Sequence, residues 1–456
     1  MSFLMLNIAG RALASQQLAM EVTSNNLTNA TTPGYQAETA VITEAPPVPV
    51  SQAGGSGQAG QLGEGTTVST IQRAHDAFLS QSLRSQMSQT SLWKSQNQIL
   101  SQVQNTFQEP SSSGLEEALN SFFSTYNTLS QNPANPASQT SVQQQGKIVA
   151  QTFNQMASQI SNMQTQTNQS VQSTVDQINS LSANLANLNQ QITTVIGAGQ
   201  SPNDLKDQRT QVLNQLSQLV NISYTQNPTS GATNVYIGGQ PLVTGAQNYS
   251  LATKNQPGAN GDYTATQVIW ANPSEAPPSI ASGSLAGLIQ VRDHHLAAYQ
   301  SQLSALAKNL QSVVQAASQY SPGVFSSSGS NAAQTLTFSA NSAYNGSSSS
   351  DNQGILGLYK SLTNGPASSS SGSATLLEQY TNLVDQVGTN GQNASMQYKT
   401  AQSTQTHLSN SLSSQVGVAV DQQSAQLIQE QQSYSAAAQL VASEQATMQS
   451  LLQAVG

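Results

Sequence analysis

The sequence predicts a mainly α-helical fold with inserted β-rich regions: a long helical stalk, coiled-coil helices at both chain ends, and small β domains set on the stalk. Three observations predict it. Apolar residues recur every seven positions at both ends and through the centre, the period of a supercoiled helix seam. Two stretches, about 221–282 and 320–372, break that period with Gly, Pro, Asn and Ser. Only 7% of residues are charged, where an ordinary soluble domain has about a quarter, so Ser, Gln, Asn and Thr must form the surface of whatever the apolar stripes build.

The first element is a helix over residues 4–28, with Leu6, Leu13, Met20 and Leu27 at spacing seven and Leu18 and Val22 beside them. It stops abruptly in "NNLTNATTPGYQ", where Pro33-Gly34-Tyr35 suits neither helix nor strand. Residues 75–220 read as mostly helical. The clearest part is 171–196, where Val171, Ile178, Leu185 and Ile192 form one heptad position and Leu181, Leu188 and Val195 a second. "GAGQSPNDL" breaks this seam; Ser201 then reads as an N-cap, Pro202 as the first helical residue and Asp204 as the acid of a capping box. The following helix carries Leu205, Val212, Leu216, Leu219 and Val220.

From 221 the β-branched and aromatic residues of "NISYTQNPTSGATNVYIGGQPLV" and "YTATQVIWA" read as strands. Helix resumes at 283, with Leu296, Leu303 and Leu310 in one heptad position and Tyr299, Leu306 and Val313 in another. A loop- and strand-rich region follows over about 320–372, with serine-rich flexible pieces. Helix returns near 375 and runs to the end, with breaks expected near 388–392 and 416–417. Its last part repeats Val420, Leu427, Tyr434, Val441, Met448 and Val455 every seven residues. The terminal seams share period and length, so they are expected to pair with each other or with other subunits; separate amphipathic helices on separate domains are the plainer alternative. The expected partition is residues 1–35 with 418–456 as a terminal coiled coil, 36–220 with 283–320 and 373–417 as the stalk, and 221–282 with 321–372 as a β-rich outer region.

The sequence offers little chemistry. There is no cysteine, hence no disulfide and no thiolate metal site. His75 stands apart, and the adjacent His294 and His295 point about 100° apart on a helix and cannot share an ion. "GAGQSPND" and "YIGGQP" are glycine turns without the Gly-Lys-Ser/Thr of a phosphate loop. Glu116 and Glu117 suit the dipole of a helix start and need no catalytic role. No catalytic residue, cofactor or metal is expected. The net charge is −8 and no basic run offers itself to phosphates, so nucleic-acid binding is disfavoured. No apolar run reaches the roughly 20 residues of a membrane span, and "MSFLMLNIAG" lacks the basic start and cleavage site of a secretory signal. A soluble chain exported by another route is expected. Its few carboxylates also suggest interfaces that survive acid, and so an acidic habitat.

What remains is surface for self-association, and here the opening motif is informative. "ALASQQLAMEVTSNNLTNATTPGYQ" resembles the N-terminal motif of the flagellar axial proteins, the rod, hook and hook-associated family, at Gln17, Ala19, Asn25, Asn26, Asn29, Thr32, Pro33, Gly34 and Tyr35. "SPNDLKDQR" is similar to a segment of the hook-associated protein 1 group within that family, at Pro202, Asn203, Asp204, Leu205, Asp207, Gln208 and Arg209. So is "SGSLAGLIQVRD", at Gly283, Leu285, Gly287, Leu288, Arg292 and Asp293. The C-terminal signature of the family is matched around Val418, Asp421, Leu427, Gln431, Tyr434, Ala436 and Ala438. Departures include Gln36-Ala37-Glu38 after the tyrosine and Gln422-Gln423 where an acidic pair is usual. The resemblance implies an extracellular structural subunit of the bacterial flagellum, without catalysis, built into a homo-oligomeric ring between hook and filament. The partners it implies are other copies of the chain, the hook protein, a second junction protein toward the filament and an export chaperone on the C-terminal helices. It also implies type III flagellar export. The alternatives are another axial protein (hook or distal rod), a wall hydrolase, which would need a paired acid constellation, and a secreted coiled-coil adhesin.

Overall fold

The computed structural model describes residues 2–50, 60–107, 114–258, 264–271, 276–344, 351–364 and 375–455. Helix α1 (Ser2–Thr28) leads into four strands, β1 (Glu38–Glu44), β2 (Val48–Val50), β3 (Gly60–Leu62) and β4 (Thr66–Arg73). β1 pairs with β4 and β2 with β3, both antiparallel. The first part of the expected stalk segment is therefore a β-ladder. Alternating β-branched residues such as Val41, Val68 and Ile71 explain it.

Four helices follow: α2 (Ala77–Thr106), α3 (Leu115–Gln131), α4 (Pro136–Gly197) and α5 (Asn203–Leu219). Asp76 caps α2 by accepting from the Leu79 N–H, and Asn135 caps α4 ahead of Pro136, whose missing N–H costs nothing at a helix start. At 62 residues, α4 runs about 93 Å at 1.5 Å per residue and serves two cores in turn. Its first half presents Val142, Val149, Phe153 and Ile160 to a core completed by α3 and the helices that follow the insertion. Its second half presents Val171, Val175, Ile178, Leu185 and Leu188 to a second core with α5 and the inserted sheet. The buried heptad partner of Val171, Ile178, Leu185 and Ile192 is Val175, Ser182 and Asn189, with Leu181 and Val195 at the flank. Ser182 and Asn189 are tolerated inside because both are hydrogen-bonded to backbone.

The insertion has a four-stranded antiparallel sheet, β5 (Ser223–Gln226), β6 (Thr233–Ile237), β7 (Gln240–Thr244) and β8 (Gln247–Asn248), and a hairpin, β9 (Leu251–Pro257) and β10 (Thr264–Trp270). Three asparagines of α4 dock it. Asn189 donates to the Thr233 and Gly245 carbonyls and accepts from the Thr233 N–H; Asn179 does the same with both backbone groups of Leu251. Asn168 donates to the Thr264 carbonyl and accepts from the Thr266 N–H. Each amide stands in for a neighbouring strand, satisfying backbone groups that would otherwise be buried unpaired.

The chain then continues as α6 (Ser284–Gln290), a wider π-type turn (Val291–Leu296) and α7 (Ala297–Ala316). A hairpin of β11 (Gly323–Ser326) and β12 (Thr337–Ala340) encloses the short α8 (Ala332–Thr335), and α9 (Asp351–Asn364) follows. Two expectations for 320–372 are corrected here. The segment 351–364 is helical, because Ile355, Leu358 and Leu362 at helical spacing find the first core. The hairpin is not outlying: Phe325 and Phe338 stack edge-on against Phe122 of α3, with centroids 5.5 and 5.8 Å away.

Two helices complete the chain, α10 (Leu376–Val416) and α11 (Val420–Val455). α10 opens on a capping box of Thr375 and Glu378. The break expected at 388–392 is absent. Gly391 lies inside the continuous α10, buried against the Gln104 side chain of α2. The break at Gly417 is present. The capping box expected at 201–204 is also absent: Pro202 occupies the cap position, and the Ser201 hydroxyl bonds Thr70 instead.

Candidate functional site

The chain ends meet where α1 packs against α11, and the opening motif sits at that junction. Asn26 is fully buried and uses its whole amide. Its Nδ2 donates to the Glu38 carbonyl (2.7 Å) and to Gln423 Oε1 of α11 (2.9 Å). Its Oδ1 accepts from the Tyr35 hydroxyl and from the Glu38 N–H, both at 2.9 Å. One side chain thus ties the end of α1, the start of β1 and the last helix together. Burial, then the nearby Glu38 carboxylate, hold the Tyr35 phenol well above its ordinary pKa, so it stays a neutral donor. Asn25 and Asn29 lie further out; Asn29 donates to Asn25 Oδ1 (2.8 Å) and accepts from the Thr32 hydroxyl (3.1 Å), closing the helix end.

Between Thr32 and Tyr35 the chain makes a hydrogen-bonded turn, the Tyr35 N–H donating to the Thr32 carbonyl. Pro33 pre-sets the first central position and Gly34, at φ +84°, supplies the left-handed second. The turn redirects the chain from α1 into β1. The "SPNDLKDQR" segment braces it from α5. Gln211 donates to the Pro33 carbonyl (2.7 Å), and Asp207 accepts from the Gln36 N–H (3.2 Å) while pairing with Arg73 of β4. Asn203 donates to the Ile71 carbonyl (3.0 Å). Burial raises the Asp207 carboxyl above its usual range despite Arg73. Arg209 points elsewhere, to the Gly231 carbonyl; Pro202 is buried, Leu205 packs at the edge of the second core, and Asp204 and Gln208 face solvent.

The "SGSLAGLIQVRD" segment sits apart from this clasp. Gly283 (φ +90°) and Gly287 allow close approach, since a Cβ at Gly287 would lie 2.5 Å from the Leu92 carbonyl of α2. Leu285 is buried and Leu288 packs beside it. Arg292, itself buried, bonds Asp293 through two nitrogens (2.7 and 2.9 Å) and reaches Asn168 and the Thr266 carbonyl with a third. It joins α4, the β10 strand and the π-type turn.

The terminal seams differ from the expected register. The buried stripe of α1 is Ser15, Ala19, Val22 and Asn26, one step round from Leu13, Met20 and Leu27, which are half-buried, while Leu6 is exposed. On α11, Leu427, Val441 and Met448 face inward in part, flanked by the more deeply buried Glu430 and Ala437. Thr23 donates to Glu430 Oε1 (3.1 Å) across the seam. Val420 (51% exposed), Ile428 (56%), Leu440 (60%) and Tyr434 (36%) turn to solvent. The side chain of Val455 lies outside the described residues. The most deeply buried positions of the pair are thus mostly small or polar, with Val22 the largest apolar one, while Val420, Ile428 and Leu440 remain on its outside. Thr23, Glu430 and Gln211 were not singled out in the sequence, although Thr23 lies inside the opening motif, and Gln423 was noted only as a departure from the usual acidic pair. Among the described residues no group of three or more His, Asp or Glu is placed to hold a metal, and no helix is long and apolar enough to cross a membrane.

Comparison with known proteins bears on this arrangement. The family described as "Flagellar hook-associated protein FlgK helical domain" matches residues 100–331, just over half of the chain, and "Flagella basal body rod protein" matches residues 6–36. The flagellar hook-associated protein 1 of Bacillus subtilis is 33% identical over 230 residues, covering 50% of this chain and 45% of that protein. Its Salmonella typhimurium counterpart is 30% identical over 310 residues, covering 66% of this chain and 54% of that protein. The chain spans about half the length of these relatives. The solved flagellar hook junction protein FlgK from Burkholderia pseudomallei is 28% identical, with a TM-score of 0.48 over 54% of this chain and 46% of that one.

Proposed function

The chain belongs to the flagellar hook-associated proteins that carry the FlgK helical domain, and from that premise we propose that it is a structural subunit at the junction between hook and filament. The observation that carries the reading is the clasp at Asn26. It fixes α1 and α11 as a pair whose most buried positions are mostly small or polar and whose outside keeps Val420, Ile428 and Leu440 in solvent. An isolated pair with so little buried apolar area is weakly held, and packing many pairs together covers the outer residues. The function is geometric, with no catalysis: the terminal pair lines the inner tube, the Pro-Gly turn directs the chain outward, and the two cores on α4 form the lateral wall.

In this reading residues 1–35 and 418–456 form the assembling part and the helical segments form the stalk. The sheet of 221–282 forms the outer part. The segment 321–364 joins the stalk, since Phe325, Phe338 and Ile355 pack in its core. The partners are other copies of the chain, the hook protein, a second junction protein and an export chaperone on α11. The location is extracellular, on the flagellum, reached by the flagellar export route. Immunogold labelling of intact flagella with antibody to the 221–282 sheet tests this. Gold confined to the hook–filament boundary is expected; label along the hook or in the rod overturns the junction assignment in favour of another axial position.

A further inference from the structure

The sequence shows no basic run, yet the fold gathers one. Arg73, Arg84, Lys206 and Arg209, four of the chain's twelve Lys and Arg residues, line one cavity of about 520 Å³ together with His75. They come from β4, α2 and α5 and are brought together only by the packing of those elements on β5 and β6. In a chain of net charge −8 this concentration of cations needs a cause.

The counter-charges present do not balance it. Asp207 pairs with Arg73. Asp76 is engaged as the cap of α2 and opposes His75, and Glu38 lies toward Lys206. Among the described residues no carboxylate faces Arg84 or Arg209, although both are only 6% exposed. Arg84 stacks over the Tyr224 ring at 4.6 Å and bonds its hydroxyl, but its buried Nε has no partner. Arg209 uses one nitrogen on the Gly231 carbonyl. The Lys206 ammonium makes no hydrogen bond or ion pair among the described residues. Burial and their like-charged neighbours depress the basicity of Lys206 and Arg209, the latter to about 10. A buried cation without a counter-ion is expensive, and proteins retain such groups where something supplies the missing charge.

We propose that this cavity is an oxyanion site, binding a phosphate group, free or carried on a small molecule, between Arg84, Lys206 and Arg209. The guanidinium fork matches the oxygens of phosphate. The hydroxyls of Thr70, Ser201 and Thr210 line the remaining wall. The volume lies within the roughly 300–1,000 Å³ of small-molecule pockets, so a phosphorylated molecule larger than the bare ion fits. Because Arg73 and Asp207 also brace the Pro33-Gly34 turn, an occupied site stiffens the base of the clasp.

Calorimetric titration of the full chain with inorganic phosphate, at ionic strength fixed with sodium chloride, tests the proposal. Expected is one-to-one binding that Lys206→Gln weakens roughly tenfold or more, the loss of one charged hydrogen bond. In phosphate-free buffer the same variant is expected to melt at or above the parent temperature, because the repulsion from Arg73 and Arg209 that it relieves outweighs the attraction of Glu38 that it loses. Absence of phosphate binding over chloride, or unchanged affinity in Lys206→Gln, overturns the site. A variant that melts lower without phosphate shows that Lys206 supports the fold, and equally overturns it.

Discussion

Replacing Asn26 by Ala tests the clasp most sharply. The substitution deletes four hydrogen bonds, two to and two from the amide. It leaves both backbone groups of Glu38 without that partner and frees Gln423 of α11. At about 1 kcal/mol net per bond the gross loss is about 4 kcal/mol, and solvent reaching the half-buried Glu38 backbone returns part of it, leaving roughly 2–4 kcal/mol. The loss is local, because among the described residues of α1 the buried apolar ones are only Ala9, Ala19 and Val22, too few to hold the pair without the tie. Hydrogen exchange read by mass spectrometry is the assay. Amides of residues 35–38 are expected to exchange about 30- to 1,000-fold faster, while those of α4 in both cores stay unchanged. Asn26→Asp keeps the acceptor and loses the donor, so it falls between. A change below threefold in Asn26→Ala would mean that the clasp is held by something other than the Asn26 amide.

Further expectations follow from the same geometry. Gly34→Ala places a Cβ at φ +84° and 2.6 Å from the Gln211 side-chain nitrogen. A left-handed conformation costs a non-glycine residue about 1–2 kcal/mol, so local exchange at the turn rises while global denaturant unfolding barely moves. Gly287→Ala drives a methyl into the Leu92 carbonyl of α2; overpacking of about 1–3 kcal/mol or more lowers the melting temperature measured by circular dichroism. The pH profile has two opposing limbs. His75 and His295 are held below their ordinary 6.5 by burial first and by neighbouring positive charge second. The unfolded chain therefore takes up those protons first, and stability falls as pH drops through 6.5 toward the folded values. Burial holds Glu38 and Asp207 above their ordinary 4.5 and 3.8. There the folded chain takes up protons first, and stability recovers as pH falls through the folded values to the unfolded ones. A shallow minimum in melting temperature between the two limbs is expected; a steep single-direction loss from pH 6 to 3 contradicts both this balance and the acid-tolerant reading.

Much of the fold is legible in the sequence because it depends on local periodicity. Val171, Ile178, Leu185 and Ile192, and Leu296, Leu303 and Leu310, are buried as their spacing requires. What periodicity cannot give is the partner. The 62-residue α4 is continuous through polar stretches such as "SNMQTQTNQS" because its neighbours, not its own apolar content, decide its length. The α1 stripe sits one step from its leucines because the tie through Asn26 and Thr23 fixes the rotation of the helix. The 351–364 helix was hidden among serine- and asparagine-rich flanks, and Gly391 reads as a breaker until α2 is placed beside it. At the site, Pro33-Gly34 announces a turn from sequence alone. Its braces do not, since Gln211 and Asp207 lie more than a hundred residues away and the bonds that recruit them form only in the folded chain.

The proposed function requires the outward face of the terminal helix pair to build the hook–filament junction. Its most direct test is complementation in the source bacterium after deletion of the chain, with Val420, Ile428 and Leu440 all changed to Ser. These residues are exposed, so the variant folds as the parent does, and its level in the culture medium is measured beside the parent's so that a loss of export by way of α11 is separated from a loss of assembly. The parent chain is expected to restore filaments, whereas cells with the variant are expected to carry bare hooks and release unattached filament protein. Filaments of normal number and length on the variant cells contradict this expectation, and show that this face takes no part in assembly.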